Sequence, residues 1–224
     1  LCLQLSELAQ VQGHFMQAIH LLQKALKNDQ DNIGLWVQLS SACLHRNDKK
    51  ARKAAEKAVA LSEALEENEE QPATVITVKQ LQAKHALAQV ESQEQHFDIS
   101  EQLYRDILAI NDTHLPALQG LGQQQMQQGN IDEALALFEK VKQIDPIKGY
   151  SALINARRFP EDVEALHKME KAAQMPSMEG QVRAGILFQL AAAWEKRKEY
   201  DKAFGFAQQA NDASKKFLPY DAKS

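Results

Sequence analysis

The chain is poor in the residues that staple, coordinate or cleave. Its 224 residues include only two cysteines, Cys2 and Cys43, and no CxxC pair. That count excludes a disulfide framework and a cysteine-rich metal site. Both cysteines fall on apolar helix positions, so buried free thiols are expected, which suits a reducing, cytoplasmic location. The seven histidines never pair at the i,i+3 or i,i+4 spacing that puts two ligands on one helix face. HExxH, Gly-rich phosphate loops and any arguable Ser/His/Asp set are missing too, so no catalytic residue, metal or cofactor is assigned. No apolar run reaches the ~20 residues of a membrane span, and no membrane partner is expected. With 26 basic against 30 acidic residues the net charge is −4, which argues against general affinity for nucleic acid. Strand-like composition is confined to Thr74-Val75-Ile76-Thr77-Val78. With no second strand to pair with it, this run is read as the start of a long helix, Ala73 to Gln93.

What is present is a recurrence. A large residue is followed three positions later by a small one at Phe15-Ala18, Phe97-Ser100, Ile131-Ala134 and Tyr200-Ala203. The second and third copies lie 34 residues apart. A fixed period of about this length without strand pattern indicates stacked helix-turn-helix units. The fullest copy runs from Leu115 to Lys148. Leu118, Leu121 and Gly122 mark one side of a first helix, with Gly122 small enough for close approach. Gly129-Asn130 breaks that helix, since glycine reaches positive φ without steric cost. Ile131, Ala134, Phe138 and Val141 form the apolar stripe of the second helix, and Asp145-Pro146 ends the unit.

Leu118, Leu121, Gly122, Gly129, Ala134, Phe138 and Pro146 together resemble a tetratricopeptide repeat (TPR). Gln125 stands where that pattern has an aromatic and Val141 where it has alanine. The resemblance implies an all-α TPR-type right-handed superhelix, an α-solenoid of about six helical hairpins. Its repeats run about 1–32, 33–66, 73–114, 115–148, a degenerate 149–178 and 182–215, one array over 1–217, with 218–224 a tail leading to a downstream region. In repeat two one residue is missing at the turn before Ala51. In the degenerate repeat the first helix is short, about Tyr150 to Arg157. Between Ala51 and Ser100 an insertion of about 15 residues carries the acidic run Glu66-Glu67 and Glu69-Glu70, read as solvated linker charge. Insertions in such stacks become loops, often on a functional face.

Stacks of this kind mostly present surfaces rather than run reactions. The resemblance implies a protein or peptide partner held in a groove lined by first helices. The matching offsets are Glu7, Gln10, Ser41, His85, Gln89, Gln119, Gln123 and Met126, with Phe188, Ala192 and Glu195 in the last repeat. Most are neutral and polar, and glutamine both donates and accepts, as binding of a peptide backbone requires. The alternative is that the glutamines are only good helix formers on a wet face. None of these positions is Lys, Arg or Asn, so tight binding of acidic chaperone tails is not expected there. A basic cluster, Arg46, Lys49, Lys50, Arg52, Lys53 and Lys57, is read as a solvated helix face, the alternative being an anion patch.

From Leu187 to Asp221 the order Leu-Phe-x-Leu-Ala, Tyr-Asp-x-Ala-Phe, Asn, basic, Tyr-Asp resembles the last repeat of the N-terminal TPR region of bacterial TPR-sulfotransferases. That resemblance implies a sulfuryl-transferring domain beyond Ser224, opening on a Pro-Arg-Ser-Gly type loop. Phe204, Phe206 and Phe217 lie close to this end. Either they pack inward, or they form a docking edge for a downstream catalytic domain or a second copy of the chain. The alternative function is a structural or oligomerising arm with no groove ligand.

Overall fold

The computed structural model describes residues 2–65, 72–175 and 180–217. Every regular element among them is helical. They are α1 Cys2–Val11, α2 Phe15–Leu26, α3 Ile33–Leu44, α4 Lys50–Glu63, α5 Ala73–Gln93, α6 Phe97–Ile110, α7 Leu115–Gln128, α8 Ile131–Ile144, α9 Pro146–Asn155, α10 Val163–Ala173, α11 Gly180–Lys196 and α12 Tyr200–Phe217. The β-branched run 74–78 is the first part of α5. Leu81, Ala83, Ala86, Ala88 and Val90 of that helix are buried, so packing outweighs the modest helix propensity of Val, Ile and Thr. The acidic run at 66–70 lies outside the described residues.

One turn geometry closes every odd-numbered helix onto the next. In each case a residue with positive φ follows the helix: Gly13 (76°), Asn47 (54°), Gln95 (65°), Gly129 (84°), Arg157 (60°) and Lys198 (64°). Its N–H donates three residues back, and the next N–H donates five residues back. Asp48 thus donates to the Cys43 carbonyl at 3.0 Å, His96 to Glu91 at 2.8 Å, and Glu199 to Trp194 at 3.0 Å. This is the Schellman closure, which satisfies two carbonyls that the helix end leaves orphaned. The accepting carbonyls belong to Ala9, Cys43, Glu91, Gln125, Leu153 and Trp194, and all six residues are buried. They mark the true repeat register. Ala9 and Cys43 lie 34 apart, as do Glu91 and Gln125. The small residue of the recurrent pattern carries the packing: Ala18, Ser100, Ala134 and Ala203 are all buried, whereas Tyr200 stands 64% exposed.

The chain forms two compact units, Leu1–Gln124 and Gln125–Ser224. In the first, each helix of the series α1 to α6 packs on the next, and α3 also packs on α5. Its core runs through Ala18, Leu22, Leu39, Cys43, Ala55 and Val90. Burial pushes the Cys43 thiol up to about 11, so it is an inert core group. Close approach of α6 and α7 falls at Gly120: a Cβ there would stand 2.6 Å from the Tyr104 ring. Gly122, two positions on, is buried. Near Gly120, buried Gln124 accepts from Ser100 Oγ and donates to the Phe97 carbonyl at 2.9 Å.

In the second unit α8 packs on α9, and α9, α10 and α11 pack on one another before α11 pairs with α12. The core holds Leu166, Met169, Leu187, Leu190 and Trp194. Gln125, one departure from the repeat pattern, is 1% exposed and accepts from Nδ2 of the exposed Asn130 at 2.7 Å, so the buried amide is satisfied by a residue of the turn. The short helix expected at about 150–157 is α9 and begins at Pro146. The Asp145 carboxylate caps it, accepting from Lys148 N–H at 3.1 Å, and proline at the first helical position loses no hydrogen bond. Asp145-Pro146 therefore ends one helix and starts the next.

Candidate functional site

Within the first unit, α1, α3 and α5 place side chains along a common cleft. Ser6 Oγ donates to Gln38 Oε1 at 2.8 Å, and Gln38 Nε2 donates to Glu7 Oε1 at 2.6 Å, so α1 is tied to α3 by a polar relay. The cleft measures about 470 Å³ and is lined by Glu7, Gln10, Val37, Gln38, Ser41, His85, Ala86 and Gln89. Five sequence-assigned groove residues, Glu7, Gln10, Ser41, His85 and Gln89, meet there. The side chains of Gln10, Ser41 and Gln89 have no hydrogen-bond partner among the described residues, which leaves two amides and a hydroxyl free to pair with a ligand. Gln119 and Gln123 of α7 do not line this cleft. Met126 belongs to the second unit, where it packs against Ala134, Phe138 and Leu153.

His85 is the one titratable ring at the cleft. Burial, with His114 nearby, holds its pKa down to about 4, so the imidazole is neutral at pH 7. Its ring centroid lies 5.9 Å from that of His114 and 6.0 Å from that of Tyr104, which fixes the ring at the cleft wall. The cleft thus offers one carboxylate and otherwise neutral donors and acceptors. Sequence reasoning missed Gln38 and Val37. The available signal was spacing, since Gln38 precedes Ser41 by three positions and shares its helix face.

In the second unit Ala192 and Glu195 line a separate cleft of about 560 Å³, with Arg157, Phe159, Lys196, Lys198 and Tyr200. The last-repeat groove positions are therefore set among cations and aromatics. On α12 the three phenylalanines separate. Phe204 is 72% exposed, Phe206 packs partly buried against the core, and the Phe217 side chain lies outside the described residues.

The basic cluster also divides. Arg52 is not a solvated charge: it makes a bidentate pair with Glu91 at 2.6 and 2.8 Å and reaches Glu94 at 2.8 Å. His96 Nδ1 lies 2.7 Å from Glu91 Oε2, the oxygen that also accepts from Arg52 Nη2. Glu91 is 4% exposed, and Arg52 holds its carboxyl below the usual carboxylate range despite burial. This clamp fastens α4 to the α5–α6 turn. Among the described residues no group of three or more His, Cys, Asp or Glu is placed to hold a metal ion, and no helix is long and apolar enough to cross a membrane.

No protein-family model matches the chain. An uncharacterised protein of Aquifex aeolicus (strain VF5) is 30% identical over 108 residues, which is 48% of this chain and 14% of that protein. The solved structure of a tetratricopeptide repeat protein from Parabacteroides merdae superposes with a TM-score of 0.55 at 16% identity, over 97% of this chain and 82% of that one. A thermophilic TPR protein of Thermus thermophilus gives a TM-score of 0.54 at 18% identity, over 92% of this chain and 96% of that one. The architecture is accordingly an all-α stack of paired helices of the TPR type. At these identities the likeness concerns fold alone.

Proposed function

We propose that this chain is a non-catalytic binding module that holds an extended peptide along the α1, α3 and α5 cleft of its first unit. The observation that carries this reading is the convergence of Gln10, Ser41 and Gln89, unpaired among the described residues, on one cleft walled by neutral His85. Amides meet backbone N–H and C=O groups with little demand on peptide sequence. The test is selection of binders from a random peptide display library, followed by affinity measurement against Gln10→Ala/Gln89→Ala. Selected peptides should bind the variant at least tenfold more weakly. Equal binding by wild type and variant would place the peptide elsewhere and end this reading.

A second reading is favoured by Phe204 and Tyr200, 72% and 64% exposed and one turn apart on α12. That edge would join a second copy or a neighbouring domain, making the chain an oligomerising arm. Light scattering on Phe204→Ser separates the two, because only the arm reading requires the variant to lose self-association. The finest version rests on the Leu187 to Asp221 resemblance: an acceptor-recognising region of a bacterial sulfotransferase. Coding sequence past Ser224 that lacks a phosphosulfate loop would remove it.

A further inference from the structure

Lys50, Lys53 and Lys57 stand at i, i+3 and i+7 on α4, one face of the helix. They do not point into open solvent alone. With Lys27 they rim a second cleft of the first unit, about 510 Å³, whose floor is Leu26, Trp36, Leu39 and Ala54. Trp36 is held in place by its indole N–H, which donates to the Gln30 carbonyl at 2.7 Å. None of the four lysines has an ion-pair partner among the described residues, and Asp31 is the one carboxylate in the lining. Trp36 and Leu39 lie on the side of α3 opposite Val37, Gln38 and Ser41, given about 100° of turn per residue. This cleft is therefore a different surface from the peptide cleft above.

We infer that the lysine-rimmed cleft binds an acidic peptide segment carrying an apolar anchor residue. Charge and shape both favour that class. The α4 lysines span about 10 Å at 1.5 Å per residue, the length of roughly three residues of extended chain. A row of charges of this length matches alternate carboxylates on a strand-like peptide better than a single converging anion. The rim holds point-charge lysines with no arginine fork for bidentate phosphate. The apolar floor gives a buried side chain a seat that a polyanion of phosphates would leave empty. The expectation that acidic tails are refused concerned the first-helix groove positions, and these lysines lie outside them.

The experiment uses fluorescence anisotropy with a labelled eleven-residue peptide that carries glutamates at alternate positions around a central leucine. Measurements run at low and at physiological salt. Three results are expected. The peptide binds the full chain. Lys50→Glu/Lys53→Glu/Lys57→Glu weakens binding at least tenfold, while Lys140→Glu, on α8 of the second unit, leaves it unchanged. A peptide with serine in place of the leucine binds at least fivefold more weakly. Failure of the peptide to bind, or equal binding to the charge-reversed variant, overturns the inference. Equal competition by inorganic phosphate or a single-stranded oligonucleotide also overturns it, as does lysine-dependent self-association in light scattering, which would make a second copy the occupant. If circular dichroism shows the triple variant unfolded, Lys53→Ala/Lys57→Ala replaces it, with at least a threefold loss required.

Discussion

Two mid-helix glycines of the second unit answer the same substitution in opposite ways. Helix propensity alone favours alanine over glycine by about 0.8–1.0 kcal/mol at either place. At Gly185 of α11 nothing lies within 4 Å of the added Cβ, so Gly185→Ala should keep that gain. At Gly149 of α9 the added Cβ would fall on the N, Cα and Cβ of Lys142 in α8. Backbone atoms cannot rotate aside, so the α8–α9 crossing must open and the packing of Leu153 on Ala134 and Phe138 must loosen. Overpacking typically costs about 1–3 kcal/mol, and an immovable obstacle puts this site at the upper end. After subtracting the propensity gain, Gly149→Ala should lose about 1–2 kcal/mol. For a unit of this size each kcal/mol moves the midpoint by about 4–8 °C, so Gly149→Ala should melt roughly 4–16 °C lower and Gly185→Ala several degrees higher. Thermal unfolding followed by far-UV circular dichroism and by Trp194 fluorescence measures both. If Gly149→Ala raised Tm as Gly185→Ala does, the close crossing of α8 and α9 would be wrong.

Three further outcomes are expected. Gln95→Gly and Lys198→Gly should each stabilise by about 1 kcal/mol, because an L-residue with positive φ carries a cost of roughly 1–2 kcal/mol that glycine avoids; urea midpoints check this. Arg52→Ala leaves Glu91 buried with His96 as its remaining partner and should cost about 2 kcal/mol at pH 7, less than for a fully buried pair because Arg52 is partly exposed. Glu91 titrates below its ordinary value, so the Arg52 contribution is full above about 4.5 and fades as pH falls through the folded value. The gap between wild type and variant should accordingly narrow in acid, and a constant gap would contradict the clamp. His85 titrates near 4 against an ordinary 6.5, so the unfolded chain takes up a proton first and stability should drop as pH falls from 6.5 towards 4. His85→Phe should flatten that slope in denaturant titrations, leaving the part due to His114, which burial also holds low.

How much of the candidate site was legible varied residue by residue. Glu7, Gln10, Ser41, His85 and Gln89 were placed by repeat offset alone, since each repeat puts its first helix in the same setting. Gln119 and Gln123 followed the same offset but do not line the cleft. Gln38 went unread because its role depends on Ser6 and Glu7, 32 and 31 positions away. The basic cluster read as one patch because its members are neighbours in the chain. Folding sends Arg52 to Glu91, 39 positions on, and turns Lys50, Lys53 and Lys57 towards Lys27 and Trp36.

The amino-acid order by itself determined the helices, their pairing and their period. A 3.6-residue stripe, the small residues at Ala18, Ser100, Ala134 and Ala203, and breakers such as Gly13 and Gly129 act through neighbours a few positions apart, and such signals survive without knowledge of the fold. Tertiary structure alone decided which turns close on Asn47, Gln95, Arg157 and Lys198 at positive φ. It also decided that Gly120 and Gly149 carry close approaches at Tyr104 and Lys142, and that a glutamate at position 91 is buried. The reason is that a helix's own geometry is set within one turn, whereas a crossing distance or an ion-pair partner is set by the helix packed against it.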